Sequence, residues 1–356
     1  MLQPVVARLI ADDTVDIDSF EIVALKPGVG NPTSLGVYRV SGICHTSKQH
    51  DIAYSVVVKH LGDGKPIMDA SSPLSWNYWE REIVLFESEI AERIPTSIKY
   101  PKYLGQTRFK DGTALFWNAD LGDLTKSNWT WKLCLEATDL AAQLNAIDSS
   151  DLARFAWLNR TQVEGWLVFE EFAMNPFLER VLQLASKNSE TKSRLDSVWR
   201  FVTDRSIIER LLSEGRHAFN HSDFNLNNLV PSSDGIIVLD WQLAGVGRIG
   251  GDAASIFNTA FELGVIKATR AEFEQLCAVY TERFNQISVE PITSDEVRLS
   301  IAITGLFILR WMSFFHAFVA PGETEAEVDA KYLKVVEAFT SGPIATYVEV
   351  LNELGV

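Results

Sequence analysis

The sequence predicts an α+β protein of two lobes: an amino-terminal antiparallel five-stranded sheet with one helix, and a larger, mainly helical carboxy-terminal lobe. Three observations predict it. Short Val-, Ile- and Tyr-rich runs broken by turn residues fill the first third, helical periodicity dominates after Asp123, and one strand-like island, residues 217–243, interrupts the helices. At 356 residues the chain is also too long for one small core.

The elements follow in order. Phe20–Leu25, Gly36–Ile43 and Ala53–Leu61 read as hairpin strands separated by Gly, Pro, Ser and charged residues. From Trp76 to Arg93 the period changes, and Trp79, Ile83, Phe86 and Ile90 form one apolar stripe of a helix packed on that sheet. Tyr103–Thr107 and Thr113–Asn118 flank the turn Lys110-Asp111-Gly112 and complete five strands. The expected division is residues 1–117 for the first lobe, 118–122 for a hinge and 123–356 for the helical lobe. Helices are expected at Trp131–Ile147, Val163–Lys187, Lys192–Leu212, Arg270–Ile287 and Ser294–Phe318.

Composition narrows the function. A formal net charge of −15 leaves no basic surface for a phosphate backbone, so nucleic acid is not an expected partner. The same charge suits a cationic small molecule, although acidity that only keeps the chain in solution explains it equally well. Cys44, Cys134 and Cys277 are widely spaced and odd in number, which supports neither a disulfide framework nor a zinc site and points to a reducing, cytoplasmic compartment. Met1–Ile10 has no secretory pattern. Ala302–Ala320 approaches membrane-spanning length, but Thr304, Arg310, Ser313 and His316 interrupt it, so it reads as a buried helix and no membrane is expected.

The chemistry concentrates in the island. His221 and Asp223 followed by Asn228 spell H-x-D-x-x-x-x-N, and Asp240 ends the apolar run Ile236–Leu239 twelve residues later. Transfer of a γ-phosphoryl group needs a carboxylate to orient or deprotonate the attacking hydroxyl, a role for Asp223 in the loop 221–228. It also needs hard oxygen ligands for Mg²⁺, which Asn228 and Asp240 supply. A turn at Ser232–Gly235 reverses the chain between those two. His221 supports the catalytic loop through hydrogen bonds, because Asp223 already fills the proton acceptor's place.

At these residues the chain resembles the aminoglycoside phosphotransferase and choline kinase-like family, in HSDFNLNNL, IIVLDWQLAG and GRIGGDAASIF. The resemblance implies a protein-kinase-like bilobal fold, and it implies that Asp252 of Gly250-Gly251-Asp252 steadies the catalytic loop, where helix capping is the plain alternative. Trp241 follows the metal-binding Asp, and no Ala-Pro-Glu segment comes after it, so no activation switch and no protein substrate are expected. In such folds a strand lysine contacts the nucleotide phosphates and a helix glutamate holds it. Lys59 ends the run Val56–Val58, and Glu82 falls nearest the apolar stripe among the acidic residues at 80, 82, 87 and 89. Pro27–Gly36 either covers the phosphates, with Ser34 as a contact, or is only a glycine-rich hairpin turn. Backbone groups in Phe116–Leu121, including Asn118 and Asp120, face the adenine edge at the expected hinge.

The expected cofactors are ATP, with GTP as the alternative, and Mg²⁺. The expected acceptor is a small-molecule hydroxyl: an aminoglycoside, another antibiotic, an amino alcohol or a sugar. Its pocket is placed beside Asp223 and the helices carrying Arg310, Trp311, Phe314 and Phe315, where aromatic residues equally suit a core. A nucleotide-binding pseudokinase or scaffold is the alternative function, and the chain is expected as monomer or homodimer.

Overall fold

A computed structural model describes residues 1–25, 33–63, 70–122, 128–160, 177–204, 206, 209, 213–317 and 323–356, with backbone alone at 202–203 and 310–317. The chain divides into two compact units. One comprises Met1–Ser127, Phe155–Asn159 and Val230–Ala244, and the other comprises Asn128–Arg154, Arg160–Leu229 and Gly245–Val356.

The first unit is built on strands β1 (Asp16–Leu25), β2 (Ser34–His45), β3 (Ile52–Leu61), β4 (Tyr103–Arg108) and β5 (Ala114–Ala119). They form one sheet in the order β1-β2-β3-β5-β4, with every described pairing antiparallel. Alternation along β3 decides which face each side chain joins. Val56 and Val58 point to a face covered by the helix Leu2–Ile10, where they pack with Val5, Val40, Leu104 and Trp117. Lys59 and Leu61 take the other parity, and Leu61 packs there with Trp79, Ile83, Ala114 and Phe116. The lysine is thereby carried on the side of the sheet that holds the helix Arg81–Phe86.

The helix expected over residues 76–93 is two short helices, Arg81–Phe86 and Glu89–Arg93. The chain leaves helical geometry at Ser88, which is extended and starts the second piece. Residues before Arg81 are turns, and the apolar stripe survives because Trp79, Ile83 and Ile90 are buried in either arrangement.

Strands β7 (Leu229–Ser232) and β8 (Gly235–Val238) form the expected hairpin, with Gly235 at φ 118° in its turn. Val238 N–H donates to the Lys99 carbonyl at 2.7 Å, and Ile237 bridges Lys99 in parallel. Those bonds draw residues 230–244 to the sheet unit although they follow the helical segments in sequence.

The second unit holds helices Trp131–Asn145, Ser189–Thr203, Gly251–Glu262, Arg270–Ile287, Ser294–Ala317, Glu325–Thr340 and Pro343–Glu353, and a short ribbon of β6 (His217–Asn220) and β9 (Gly245–Arg248) packed against the first of them. Phe257, Phe273 and Tyr347 are fully buried and in mutual ring contact. Capping boxes at Thr269/Glu272 and Thr324/Glu327 fix two of the starts. The run at 302–309 lies within the long helix, and Ala302, Ile303, Leu306, Phe307 and Leu309 are buried protein core. Among the described residues no helix is long and apolar enough to cross a membrane.

Candidate functional site

In the sheet unit the central feature is an ammonium held by two carboxylates. Lys59 Nζ donates to Glu82 Oε2 at 2.7 Å and to Asp240 Oδ1 at 2.8 Å. Burial pulls the Lys59 ammonium down, but the Asp240 and Glu82 charges outweigh that and hold it above the ordinary lysine value. Glu82 is nearly inaccessible, with 4% of its side chain exposed, whereas Asp240 keeps 36%. Glu82 also accepts the Trp241 N–H through Oε1 at 3.2 Å, so one carboxylate fixes both the lysine and the residue after Asp240. Asp240 itself sits in the left-handed region, φ 59° and ψ 67°. Aspartate tolerates that conformation better than most residues, and the strain persists because its neighbours are held. Trp241 is buried edge-on against Phe86 and Tyr100.

The remaining predicted nucleotide residues stand elsewhere in this unit. Ser34 opens β2 opposite Leu61, while residues 27–32 of the glycine-rich stretch lie outside the described residues. Asn118 is buried within β5, paired with Val57 and Tyr103. The Asp120 carboxylate is engaged by Arg39 at 2.8 Å and by the Ser55 hydroxyl at 2.6 Å, so the structure does not bring it to Lys59.

The second unit holds the H-x-D-x-x-x-x-N loop between β6 and β7. Asp223 Oδ1 accepts from Asn225 Nδ2 and Oδ2 from Asn228 Nδ2, each at 2.7 Å. The two amides hold the carboxylate in a single orientation. Because the Asn228 nitrogen is committed to Asp223, its oxygen is the end that suits a cation. His221 is fully buried, and its Nδ1 accepts the Asp223 N–H at 3.3 Å, which braces the loop from within.

Asp252 supports this loop directly. Its carboxylate accepts the His221 N–H at 3.0 Å, the Ser222 N–H at 2.9 Å and Asn145 Nδ2 at 3.3 Å. Ser222 adopts φ 66°, a strained conformation whose freed N–H Asp252 satisfies. Asp252 lies in the first turn of its helix, but the N-cap is Gly250 at φ 76°. A Cβ on Gly250 would meet Ile301 at 2.8 Å, which accounts for the glycine.

Asn145 extends the same network: its Oδ1 accepts from Gly250 N–H at 3.2 Å and from the Tyr280 hydroxyl at 2.7 Å. Sequence reasoning gave Asn145 no role, and it overlooked Asn225; only the run of asparagines around the loop hinted at the latter. Arg310, Trp311, Phe314 and Phe315 have no described side chains, so the expected acceptor pocket lies outside the described residues.

Burial raises Asp252 to about 6 from an ordinary 3.8, against the pull of the His221 and Ser222 amides. A carboxyl raised in the folded state lowers stability as pH climbs from the unfolded to the folded value, here between 3.8 and about 6. Wild-type stability relative to Asp252→Asn is therefore expected to fall by about 2 kcal/mol between pH 4 and pH 7. Urea unfolding of both proteins at the two pH values reads this directly, and parallel pH dependence would refute it.

The sequence pattern of the phosphotransferase enzyme family matches residues 132–283, a span that includes Asn145, the 221–228 loop, Asp240 and Asp252. No curated protein matches the chain. Among solved structures, an amicoumacin kinase in complex with AMP-PNP, Ca²⁺ and its ligand is similar with a TM-score of 0.55 at 13% identity, over 96% of this chain and 98% of that one. An aminoglycoside phosphotransferase from Alicyclobacillus acidocaldarius gives 0.51 at 12% identity, over 95% and 92%. The GDP complex of an aminoglycoside 2'-phosphotransferase variant gives 0.50 at 12%, over 94% and 95%. At such identities the likeness is one of fold, and the fold is that of the kinase-like phosphotransferases.

Proposed function

We propose that this chain, a phosphotransferase by family pattern and fold, moves the γ-phosphoryl group of ATP to a hydroxyl of a small molecule. The observation that carries the reading is the Lys59 ammonium fixed by Glu82 and Asp240. A half-buried cation of this kind, presented from a strand and braced by a buried helix glutamate, suits the anionic phosphates of a nucleotide. Asp240 and Asn228 are the residues that would hold Mg²⁺, a hard cation satisfied by a carboxylate, an amide oxygen, phosphates and water. Bound Mg²⁺ neutralises charge on the phosphates.

Asp223 takes the acceptor's proton. In the proposed step the acceptor oxygen forms a bond to the γ-phosphorus, the bond to the ADP oxygen breaks, and the hydroxyl proton passes to the carboxylate. Asn225 and Asn228 keep that carboxylate aimed, while His221 and Asp252 keep the loop from relaxing. The net charge of −15 favours a cationic acceptor. GTP remains the alternative donor, since a structure of similar fold carries GDP.

The test is acceptor-dependent ADP release from Mg²⁺-ATP or Mg²⁺-GTP. The panel comprises aminoglycosides, amicoumacin, amino alcohols, sugars and macrolides. Turnover above the acceptor-free rate with at least one compound, and preference for amine-bearing ones, is the expected result. Nucleotide binding without acceptor-dependent release from any of them would favour a pseudokinase.

A further inference from the structure

Arg81 precedes Glu82 on the helix Arg81–Phe86 and is entirely buried. Its guanidinium donates to four backbone carbonyls from three separate stretches of chain. Nε donates to Trp157 at 2.8 Å, Nη1 to Trp76 at 2.8 Å and to Gln242 at 3.0 Å, and Nη2 to Ser75 at 2.5 Å. No carboxylate pairs with it among its described bonds, and burial pulls it down to about 10. A charge kept in such a place implies that its geometry is needed, because desolvation alone disfavours it.

The position of those carbonyls indicates the need. Glu82 holds the Trp241 N–H while Arg81 holds the Gln242 carbonyl, so adjacent residues of one short helix grip consecutive points of the turn that follows Asp240. The Gln242 side chain in turn donates to the Thr33 hydroxyl at the entry to β2. Arg81 also fixes Trp157, and two residues on Asn159 donates to the same turn: its N–H to Ala244 O at 3.2 Å and its Nδ2 to Leu243 O at 3.4 Å. Residues 155–159 and 230–244 are the two stretches that join the sheet unit from outside its continuous sequence. Arg81 is bonded to both.

We infer that Arg81 is a positioning residue that fixes Asp240 relative to Lys59 and Glu82 by clamping the turn after Asp240, and so sets how tightly the metal-nucleotide is held. The inference rests on the proposed nucleotide role of Lys59 and Asp240. A planar fork with five N–H donors can serve carbonyls arriving from three directions; a lysine ammonium has three donors and no fork. Loss of the clamp frees the backbone at 241–244 and leaves carbonyls unpaired in the interior.

Arg81→Lys tests it on the full chain with two readouts. Hydrogen–deuterium exchange without ligand is expected to quicken in residues 155–159 and 240–244 and to stay unchanged in β2, β3 and β5. The Mg²⁺ concentration that half-saturates ATP binding is expected to rise about tenfold, the effect typical of removing a group that orients a metal ligand. Exchange that quickens uniformly, with an unchanged Mg²⁺ midpoint in the folded protein, would reduce Arg81 to a stabiliser and overturn the inference. If wild type binds no Mg²⁺-ATP, the nucleotide reading fails, and the exchange pattern still decides whether Arg81 clamps the turn. Should Arg81→Lys not fold, Asn159→Ala loosens the same turn more gently. The same local exchange and a smaller rise in the Mg²⁺ midpoint are then expected, and their absence counts against the clamp.

Discussion

Asp223→Asn lowers turnover about a thousandfold and leaves Mg²⁺-ATP affinity within about twofold, if Asp223 is the proton acceptor. Substitution by asparagine keeps the shape of the side chain and removes its charge and basicity. It also turns one NH₂ group toward Asn225 or Asn228, each of which already donates to Asp223, so one hydrogen bond of the pair is lost. That loss is local, because the fold of the loop rests on Asp252 binding His221 and Ser222 rather than on the Asp223 carboxylate. Steady-state kinetics with the best acceptor from the panel, beside calorimetric titration with Mg²⁺-ATP, separate chemistry from binding. Turnover equal to wild type would remove the role of base from Asp223. A parallel loss of nucleotide affinity would instead make the loop part of the nucleotide site.

The loop was legible because its chemistry is local: Asp223 and Asn228 are five residues apart, and their hydrogen bond follows from the turn between them. Lys59 and Glu82 were legible for a different reason. Strand parity and helical periodicity place each side chain on a face, and the structure pairs those two at 2.7 Å. Arg81 could not be found that way. Its partners are carbonyls, which every residue possesses, and two of them lie 76 and 161 positions away. No residue pattern marks a site built from backbone acceptors.

The same limit explains the segments 155–159 and 230–244, whose attachment to the sheet unit runs through main-chain bonds such as Val238 N–H to Lys99 O. Three further helices are too short or too weakly periodic to be read from apolar spacing, and two of them are marked only at their ends. Pro343 at a helix start and the Thr324/Glu327 capping box mark Pro343–Glu353 and Glu325–Thr340 in the sequence. The short Leu2–Ile10 has no side-chain cap to announce it.

Asp240→Asn is expected to weaken Mg²⁺-dependent nucleotide binding by about a hundredfold or more, since it removes the charged member of the proposed ligand pair. Asparagine tolerates the left-handed conformation that residue 240 adopts, so the backbone is not forced to move. Lys59 keeps the buried Glu82 carboxylate, and the lost Asp240 charge is 36% exposed and partly screened; stability should change by no more than about 1 kcal/mol. Lys59→Met makes the opposite bargain. It takes the Lys59 cation from Glu82 and Asp240, leaving a carboxylate with 4% exposure beside a second negative charge, at a cost of about 3 kcal/mol. Denaturant unfolding and Mg²⁺ titration of ATP binding on both variants therefore give different signatures. Asp240→Asn should retain the fold and lose the metal dependence, while Lys59→Met should lose stability first. An unchanged Mg²⁺ midpoint in Asp240→Asn would take the metal away from Asp240 and leave that carboxylate as no more than a partner for Lys59.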